Sequence, residues 1–170
     1  MTTHHAATEN AAANDFEGPR HLLADHHREL EAVYRAILAA TYADDARDLV
    51  FAYRAFEEGV LEHLEAEERE ILPAYGRAAP DDARAIREAH ARIRQELQRV
   101  GIYVELHVIR AETMHGLIAE LRAHAVREDA RMYPWAHLHL PAGAKQRIQA
   151  RVTASMHRLE VVTDRIGTAG

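Results

Sequence analysis

The sequence predicts an all-α protein, an up-down-up-down four-helix bundle with an additional C-terminal helix. The chain is rich in Ala, Leu, Glu and Arg, which favour helices. It contains only 8 Gly and 5 Pro among 170 residues, so few positions would interrupt a helix. Apolar residues recur at spacings of three and four over long segments, which is typical of helices that bury one face. A chain of this length is expected to form one domain with a real core.

The first two helices are bounded by recognisable turn residues. The apolar pattern predicts a first helix over about 19–41 and a second over about 46–72. Between them, Asp44 or Asp45 is suited to cap the second helix. We expect Pro73, with the glycine and proline that follow it, to stop that second helix, because proline breaks a helix interior.

The later helices complete the bundle. The third is predicted to start at Asp81 or Asp82 and to run to a turn near residue 107, where only position suggests a break. The fourth runs to about Tyr133, and a fifth covers about 144–165. The first residues are small and polar without periodicity, so we expect a disordered tail. The predicted divisions are the tail at 1–18, the four-helix bundle at 19–140 and the C-terminal helix, packed on the bundle, at 141–170.

Charge and composition exclude several classes of protein. A formal net charge of -6, without a basic stripe, argues against a nucleic-acid partner. The lack of cysteine excludes disulfides, thiolate zinc sites and cysteine nucleophiles. No apolar run approaches the ~18 residues of a membrane span, and the N-terminal residues lack the apolar core of a signal peptide. We therefore expect a cytoplasmic protein without a membrane partner, as a monomer or weak homodimer.

Histidine is abundant, at 13 residues, and part of it follows an internal repeat. The segments "HLEAEEREILP" and "HAVREDARMYP", which begin at His63 and His124, share the pattern H-x-x-x-E-[ED]-x-x-x-x-P. One inward-facing histidine is predicted on the helix before each segment: His27 in "DHHREL" and His90 in "EAHARI". His26 is the alternative to His27, which we prefer because it has, like His90, an apolar residue four positions before and three after.

The spacing of the repeat predicts that these residues share one layer of the bundle. In antiparallel helices, two residues face each other when the turn lies midway between them. The midpoints between successive histidines fall at 45, at 76–77 and at 107, and the first two lie inside the turns "ADDA" and "PAYGRAAP". A His and a Glu four residues apart lie on one helix face. Four imidazoles and two carboxylates would be expensive to bury without a metal, and such mixed donors suit iron, manganese or zinc.

The order His, H-x-x-x-E, His, H-x-x-x-E on four successive helices resembles the hemerythrin-like, or HHE cation-binding, family over about residues 20–135. The resemblance implies a non-haem centre of two iron ions with an oxo or hydroxo bridge, zinc or manganese being alternatives. A protein with such a centre would bind oxygen, nitric oxide or peroxide, or handle iron. A peroxide-consuming enzyme and a redox-inert zinc bundle are the alternative functions. By the resemblance, the two glutamates would bridge and the four histidines would be terminal ligands: His27, His63, Glu67, His90, His124 and Glu128.

One position departs from the oxygen-carrying members of that family. Their third helix supplies a second histidine four residues after the first, where this chain has Arg94. An arginine cannot ligate a metal, because it stays protonated. A site with four histidines and two glutamates leaves open or water-filled positions. We expect easier binding of an external ligand and redox turnover, rather than stable oxygen carriage.

The remaining candidates are assigned to the surface or the core. Acidic residues expected to be solvated are Glu68, Glu70 and Asp129. Histidines outside the repeat are His107, His115, His157 and the pair in "HLH" at 137–139. We expect His115 on the surface or against the fifth helix, and the "HLH" pair beyond the bundle end. Tyr34 is expected in the core, and Tyr133 and Trp135 are expected to cover the bundle end.

Overall fold

The structure is a computed structural model that describes residues 19–43 and 46–167. The predicted tail at 1–18 and the predicted cap at Asp44 or Asp45 lie outside the described residues. Within those ranges the chain forms α-helices joined by short connections, and no strand. The helices are α1 (Pro19–Tyr42), α2 (Ala46–Glu70), α3 (Leu72–Ala78), α4 (Pro80–Glu105), α5 (Ala111–Arg127), α6 (Tyr133–His139) and α7 (Ala142–Gly167).

The predicted fold class is confirmed. The long helices α1, α2, α4 and α5 form the bundle, and each contacts the next in the chain. Helix α7 packs outside it, against α1 and α2. Gly59 permits this close packing, because a Cβ there would lie 3.2 Å from Cδ2 of Leu159 and 3.3 Å from Cδ2 of Leu30. The division of the chain at residues 140 and 141 stays a prediction.

The prolines after the repeat motifs are followed by further helical structure. Helix α2 ends at Glu70, close to the predicted end, but helical structure resumes at Leu72. Pro73 lies in the first turn of α3, and Pro134 lies in the first turn of α6. A first-turn proline gives up an N–H group that would have no partner within the helix. The second helix thus ends close to the predicted residue, and a separate short helix, α3, lies between it and Pro80.

The predicted turn near residue 107 is confirmed. Helix α4 ends at Glu105 and α5 begins at Ala111. His107 adopts a φ of 55°, in the left-handed region that a side chain rarely occupies. The amide of Val108 donates to the carbonyl oxygen of Tyr103 at 2.9 Å, which closes the end of α4. The reversal thus forms without glycine or proline.

The apolar core consists of two clusters, one on each side of the histidine layer. The larger cluster contains Tyr34, as predicted, with its ring 4.9 Å from that of Phe56. The smaller cluster joins α3, α6 and α7 to the bundle end. In each part of the bundle, one residue of the smaller cluster and one residue of the larger cluster lie on opposite sides of the histidine layer. In that order, the pairs are Leu23 and Leu30, Ile71 and Leu64, Ile86 and Ile93, and Met132 and Leu121. Apolar side chains thus flank the site above and below.

None of the helices in residues 19–43 and 46–167 combines the length and the apolar character that crossing a bilayer requires.

Candidate metal centre

The structure brings all six sequence-predicted residues into one layer of the bundle. Their donor atoms form two groups, and within each group the atoms lie within 4.8 Å of one another. One group contains Glu67, His90, His124 and Glu128, and the other contains His27, His63 and Glu128. All are buried except His27, which is half-buried.

Each carboxylate turns its two oxygens towards different histidines. Glu67 Oε1 lies 3.5 Å from His63 Nε2, and Glu67 Oε2 lies 3.3 Å from His90 Nε2. Glu128 Oε1 lies 2.8 Å from His124 Nε2, and its Oε2 lies 3.9 Å from His27 Nε2. Both glutamates therefore lie between a pair formed by the first two histidines and a pair formed by the last two.

A π-helical turn adds a residue that the sequence analysis did not place at the site. Helix α5 continues into the π turn Glu128–Met132, and the amide of Tyr133 donates to the carbonyl oxygen of Glu128. The fully buried Tyr133 donates its hydroxyl to Glu67 Oε1 at 2.5 Å. The same hydroxyl lies 3.1 Å from His63 Nε2. The interpretation of Tyr133 as cover for the bundle end was thus incomplete.

The two adjacent histidines of α1 occupy different places. His27 Nε2 lies 3.0 Å from His63 Nε2, inside the donor group. His26 is completely buried behind His63, with the two Nδ1 atoms 2.9 Å apart. His26 Nε2 lies 3.0 Å from Ser155 Oγ on α7. The geometry is consistent with the preference for His27 as ligand, which stays a prediction.

Burial keeps His26 neutral. Burial, with a smaller effect of the neighbouring His27, lowers the pKa of His26 to about 3. If His63 directs Nε2 into the cluster, its Nδ1–H donates to His26 Nδ1, and His26 Nε2–H donates to Ser155. The tautomers follow from this hydrogen-bond pattern. A chain of hydrogen bonds thus runs from the centre to α7.

Arg94 and Glu68 support His90 from outside the centre. His90 Nδ1 donates to Glu68 Oε1 at 2.9 Å. Arg94 donates to both oxygens of Glu68, at 2.7 and 2.9 Å. Burial raises the pKa of Glu68, but the bonds from Arg94 and His90 outweigh it and lower the pKa. The expectation that Glu68 is a solvated charge is therefore incomplete. Glu68 is partly exposed and lies outside both donor groups, but Arg94, at the position of a histidine ligand, anchors it as the carboxylate that orients His90.

The other two acidic residues differ from one another. Glu70 is paired with Arg147 of α7, with 2.7 Å between Nη2 and Oε2. Asp129 is exposed, as predicted, and its Oδ1 lies 4.0 Å from His27 Nδ1. Neither belongs to a donor group of the described residues.

Among the residues that the structure describes, five further histidines lie outside both donor groups. His107, His115 and His157 are exposed, and His115 Nε2 lies 3.2 Å from the hydroxyl of Tyr42. His139 stacks on Trp135, with ring centroids 4.9 Å apart. In the part of the chain that the structure describes, the "HLH" pair joins no group of metal-donor atoms.

The charges within the layer are strongly coupled. Burial lowers the pKa of His90, but the facing carboxylates of Glu128 and Glu67 outweigh it and raise the pKa to about 10. Burial and the charge of Glu67 raise the pKa of Glu128. Burial also raises the pKa of Glu67, but His63 and His90 outweigh it and lower the pKa. Two carboxylates this close together are costly to bury unless a cation compensates their charge.

The donor set fits a metal ion. Several of its buried atoms make no hydrogen bond: His27 Nδ1, Glu67 Oε2, and both ring nitrogens of His124. Glu67 Oε2 and His124 Nε2 lie close to His90 Nε2 and Glu128 Oε1, respectively, but not in the geometry of a hydrogen bond. Buried polar atoms are normally satisfied, and each one left unsatisfied costs about 1–3 kcal/mol. Imidazole nitrogen with carboxylate oxygen is a donor combination that suits iron, manganese or zinc. A bound cation would satisfy the orphaned lone pairs that face the centre.

A cavity connects the layer with the surface. Its volume is about 320 Å³, and it lies between α1, α2 and α5. Three of the site histidines line it: His27, His63 and His124. A small molecule therefore has a route from solvent to the candidate centre.

The fold and the site define a class of protein: an antiparallel helical bundle whose buried imidazole and carboxylate groups could hold a metal. Among protein-family models, that of the hemerythrin HHE cation binding domain matches residues 18–136. The match covers more than half of the chain, and the chain belongs to this family. Comparison with curated proteins and with solved structures gave no match.

Proposed function

We propose that this protein holds a dinuclear non-haem iron centre that binds oxygen, nitric oxide or peroxide. The observation that carries the proposal is the position of the two buried carboxylates, each of which turns its oxygens to different histidines. Glu67 and Glu128 would bridge the two ions. His27 and His63 would hold one ion, and the other two histidines would hold the second: His90 and His124.

The surrounding residues prepare this site for an external ligand. Bound iron would supply reversible ligand binding and redox chemistry. Tyr133 keeps its proton at the hydroxyl oxygen, because burial and then the charges of Glu128 and Glu67 raise its pKa. Arg94 points to Glu68 and supplies no donor to the centre. With no fifth histidine at that position, coordination positions are left for a ligand that enters through the cavity.

A peroxide-consuming enzyme is the second candidate. Tyr133 favours it, because its buried hydroxyl lies at the centre and could hydrogen-bond to an oxygen of a bound ligand. Turnover distinguishes the two candidates. Release of oxygen from excess peroxide indicates the enzyme, whereas stoichiometric binding without release indicates a carrier or sensor.

The cellular setting belongs to the same proposal. The net charge of -6 and the lack of cysteine support a cytoplasmic protein that acts without nucleic acid. We propose that it works as a monomer or weak homodimer.

The first experiment is metal analysis of the full chain, purified aerobically from iron-replete cells, with its absorption spectrum. We expect two irons per chain and an oxo-to-iron charge-transfer band in the near ultraviolet. Zinc at the same stoichiometry, without that band, would overturn the proposal of iron and favour a redox-inert bundle.

A pair of double variants tests the residues. Glu67→Ala with Glu128→Ala removes both bridging carboxylates, and we expect the metal content to fall to background. Glu65→Ala with Glu120→Ala removes two carboxylates that are paired on the surface of the same helices, and we expect the metal content of the parent. Iron retained by the first double variant would contradict the ligand assignment.

A further inference from the structure

The cavity beside the centre is larger than a diatomic ligand needs. Its volume is about 320 Å³. A water molecule takes about 30 Å³ in the liquid, so the cavity has room for roughly ten groups of that size. Pockets that bind small organic molecules begin at about 300 Å³. The space therefore matches an organic molecule of moderate size.

Its walls are apolar between two polar ends. Apolar or aromatic lining comes from α1, α2 and α5: Leu30, Tyr34, Val60, Leu64, Leu121 and Ala125. At the inner end the lining is His27, His63 and His124. At the outer end it is Glu31 and Arg122. A ligand that fills the cavity would thus bury an apolar body and bring one end to the site histidines.

In the metal-free protein, the fixed charges along the cavity select against an anion. Arg122 carries the permanent positive charge of the lining, and it is paired with Glu31, with 3.0 Å between Nε and Oε2. Asp129 lies on the lining, and Glu128 is buried behind it. Without bound metal, a carboxylate ligand would be desolvated near these acidic groups without a free cation among the lining residues, whereas bound iron would itself attract a carboxylate. A neutral molecule meets no such penalty in either state.

We propose that this cavity binds a neutral organic molecule with an apolar chain and one polar end, an inference that rests on the proposed function for the role of the three histidines. The chain packs against the wall between Leu30 and Leu121. The polar end meets His27, His63 and His124, where an external ligand of the centre would lie. The substrate class of the centre is then organic, with a chain of about six to nine carbon atoms as judged from the volume.

The test uses 1-octanol as a neutral probe and octanoate as its charged counterpart. Its nine non-hydrogen atoms need roughly 270 Å³ at about 30 Å³ each, which the cavity provides. Titration calorimetry compares the two probes on the full chain after chelation, and 1-octanol is also titrated into the chain as purified, with metal content measured in each sample. We expect saturable binding of 1-octanol in both samples, and binding of octanoate to the metal-free chain weaker by roughly tenfold or more at neutral pH. Octanoate binding as tight as that of octanol, or no saturable binding of octanol, would overturn the proposal.

Two matched variants of α5 locate the binding. Ala125→Phe places a ring in the cavity, whereas Ala123→Phe places the same ring on the exposed face of that helix. We expect Ala125→Phe to weaken octanol binding by about tenfold or more, and Ala123→Phe to change it by less than about twofold. If Ala125→Phe unfolds, as circular dichroism would show, Leu121→Trp fills the cavity from the neighbouring turn. Equal octanol affinity in the parent, the cavity variant and the control would overturn the proposed location.

Metal content separates this inference from the function on which it rests. A sample with two irons per chain that does not bind octanol overturns the organic ligand and leaves the iron centre standing. A sample that carries no metal as purified and binds octanol with the expected variant pattern supports the cavity site and overturns the iron centre.

Discussion

Nδ1 of His26 lies 2.9 Å from Nδ1 of His63, on the side of the ring that faces away from the donor group. The other ring nitrogen of His63 faces His27, Glu67 and Tyr133. Adjacent histidines of α1 therefore have separate roles, one within the candidate centre and one behind it. His26 continues the contact to Ser155, so that α7 takes part in positioning a proposed ligand.

Replacement of His26 should weaken metal binding without removing a ligand. His26→Ala leaves the Nδ1–H of His63 without its acceptor, and loss of such a partner typically costs about 10–100-fold in metal affinity. His26→Gln offers both an acceptor and a donor and should recover part of the loss. Affinity is measured by competition with a chelator. His157→Ala is the control, since that histidine is exposed on α7.

The opposite result would reassign the two histidines. If His26→Ala lost one metal ion per chain while His27→Ala kept both, His26 would be the ligand. An unchanged affinity in His26→Ala would show that the contact with His63 has no part in positioning it.

Glu68 should matter to metal binding although it lies outside both donor groups. Glu68→Gln weakens the bond to His90 Nδ1 and removes the bidentate pair with Arg94. We expect a loss of about tenfold or more in affinity, with the iron-to-chain ratio unchanged at saturation. Glu65→Gln is the matched control on the same helix, since it lies near the surface and pairs with Arg69. A lower ratio at saturation in Glu68→Gln would indicate that Glu68 is itself a ligand.

Tyr133→Phe should separate the contribution of the Tyr133 hydroxyl from the contribution of its packed ring. The variant leaves Glu67 Oε1 without the bond at 2.5 Å, and an unsatisfied buried acceptor costs about 1–3 kcal/mol. We expect that loss in the free energy of unfolding of the metal-free protein, with two irons still bound on loading. Peroxide turnover should fall if the hydroxyl contacts the ligand. Tyr42→Phe, at an exposed hydroxyl, should change neither quantity, and unchanged stability in Tyr133→Phe would contradict the expected role.

The layer of donor residues could be predicted from the sequence because it depends on helix geometry alone. His63 with Glu67, and His124 with Glu128, follow from the spacing of four residues on one helix. Their common height follows from turns midway between successive histidines. The apolar pattern around His27 and His90 distinguished His27 from His26, and the structure places His27 with the donor groups.

The residues that sequence reasoning missed depend on local geometry that has no periodic signal. Tyr133 is five residues after Glu128, a spacing that does not share a face of a regular α-helix. The π turn between them brings both to the centre. Glu68 meets Arg94 across two helices through side-chain conformations, which no spacing within either helix indicates. The sequence signal that could indicate Tyr133 is its position shortly after an H-x-x-x-E motif.

Asp82 of α4 contacts one residue of α3 and one of α5, and its negative charge should stabilise the fold. Its Oδ2 accepts a hydrogen bond from the hydroxyl of Tyr75 at 2.7 Å. Its Oδ1 accepts from Arg127, at 3.1 Å from Nε and 2.6 Å from Nη2. Burial raises the pKa of Asp82, but the bonds from Arg127 and Tyr75 outweigh it and lower the pKa below its usual 3.8. The carboxylate also lies in the first turn of α4, where negative charge is favourable.

The sign of the pH dependence follows from that lowered pKa. A carboxyl group that binds protons less readily in the folded chain stabilises it above the unfolded pKa, and the contribution is lost as pH falls through the folded pKa. Asp82→Asn should therefore reduce the free energy of unfolding at neutral pH by about 1–2 kcal/mol, since Arg127 is partly exposed and screened. The difference from the parent should shrink as pH falls below 3.8, as measured by urea unfolding of metal-free protein across pH. Asp81→Asn, at an exposed carboxylate paired with Arg84, should differ from the parent by less than about 0.5 kcal/mol throughout. If the loss of unfolding free energy in Asp82→Asn stayed constant down to strongly acidic pH, the contribution of Asp82 would come from its shape rather than its charge.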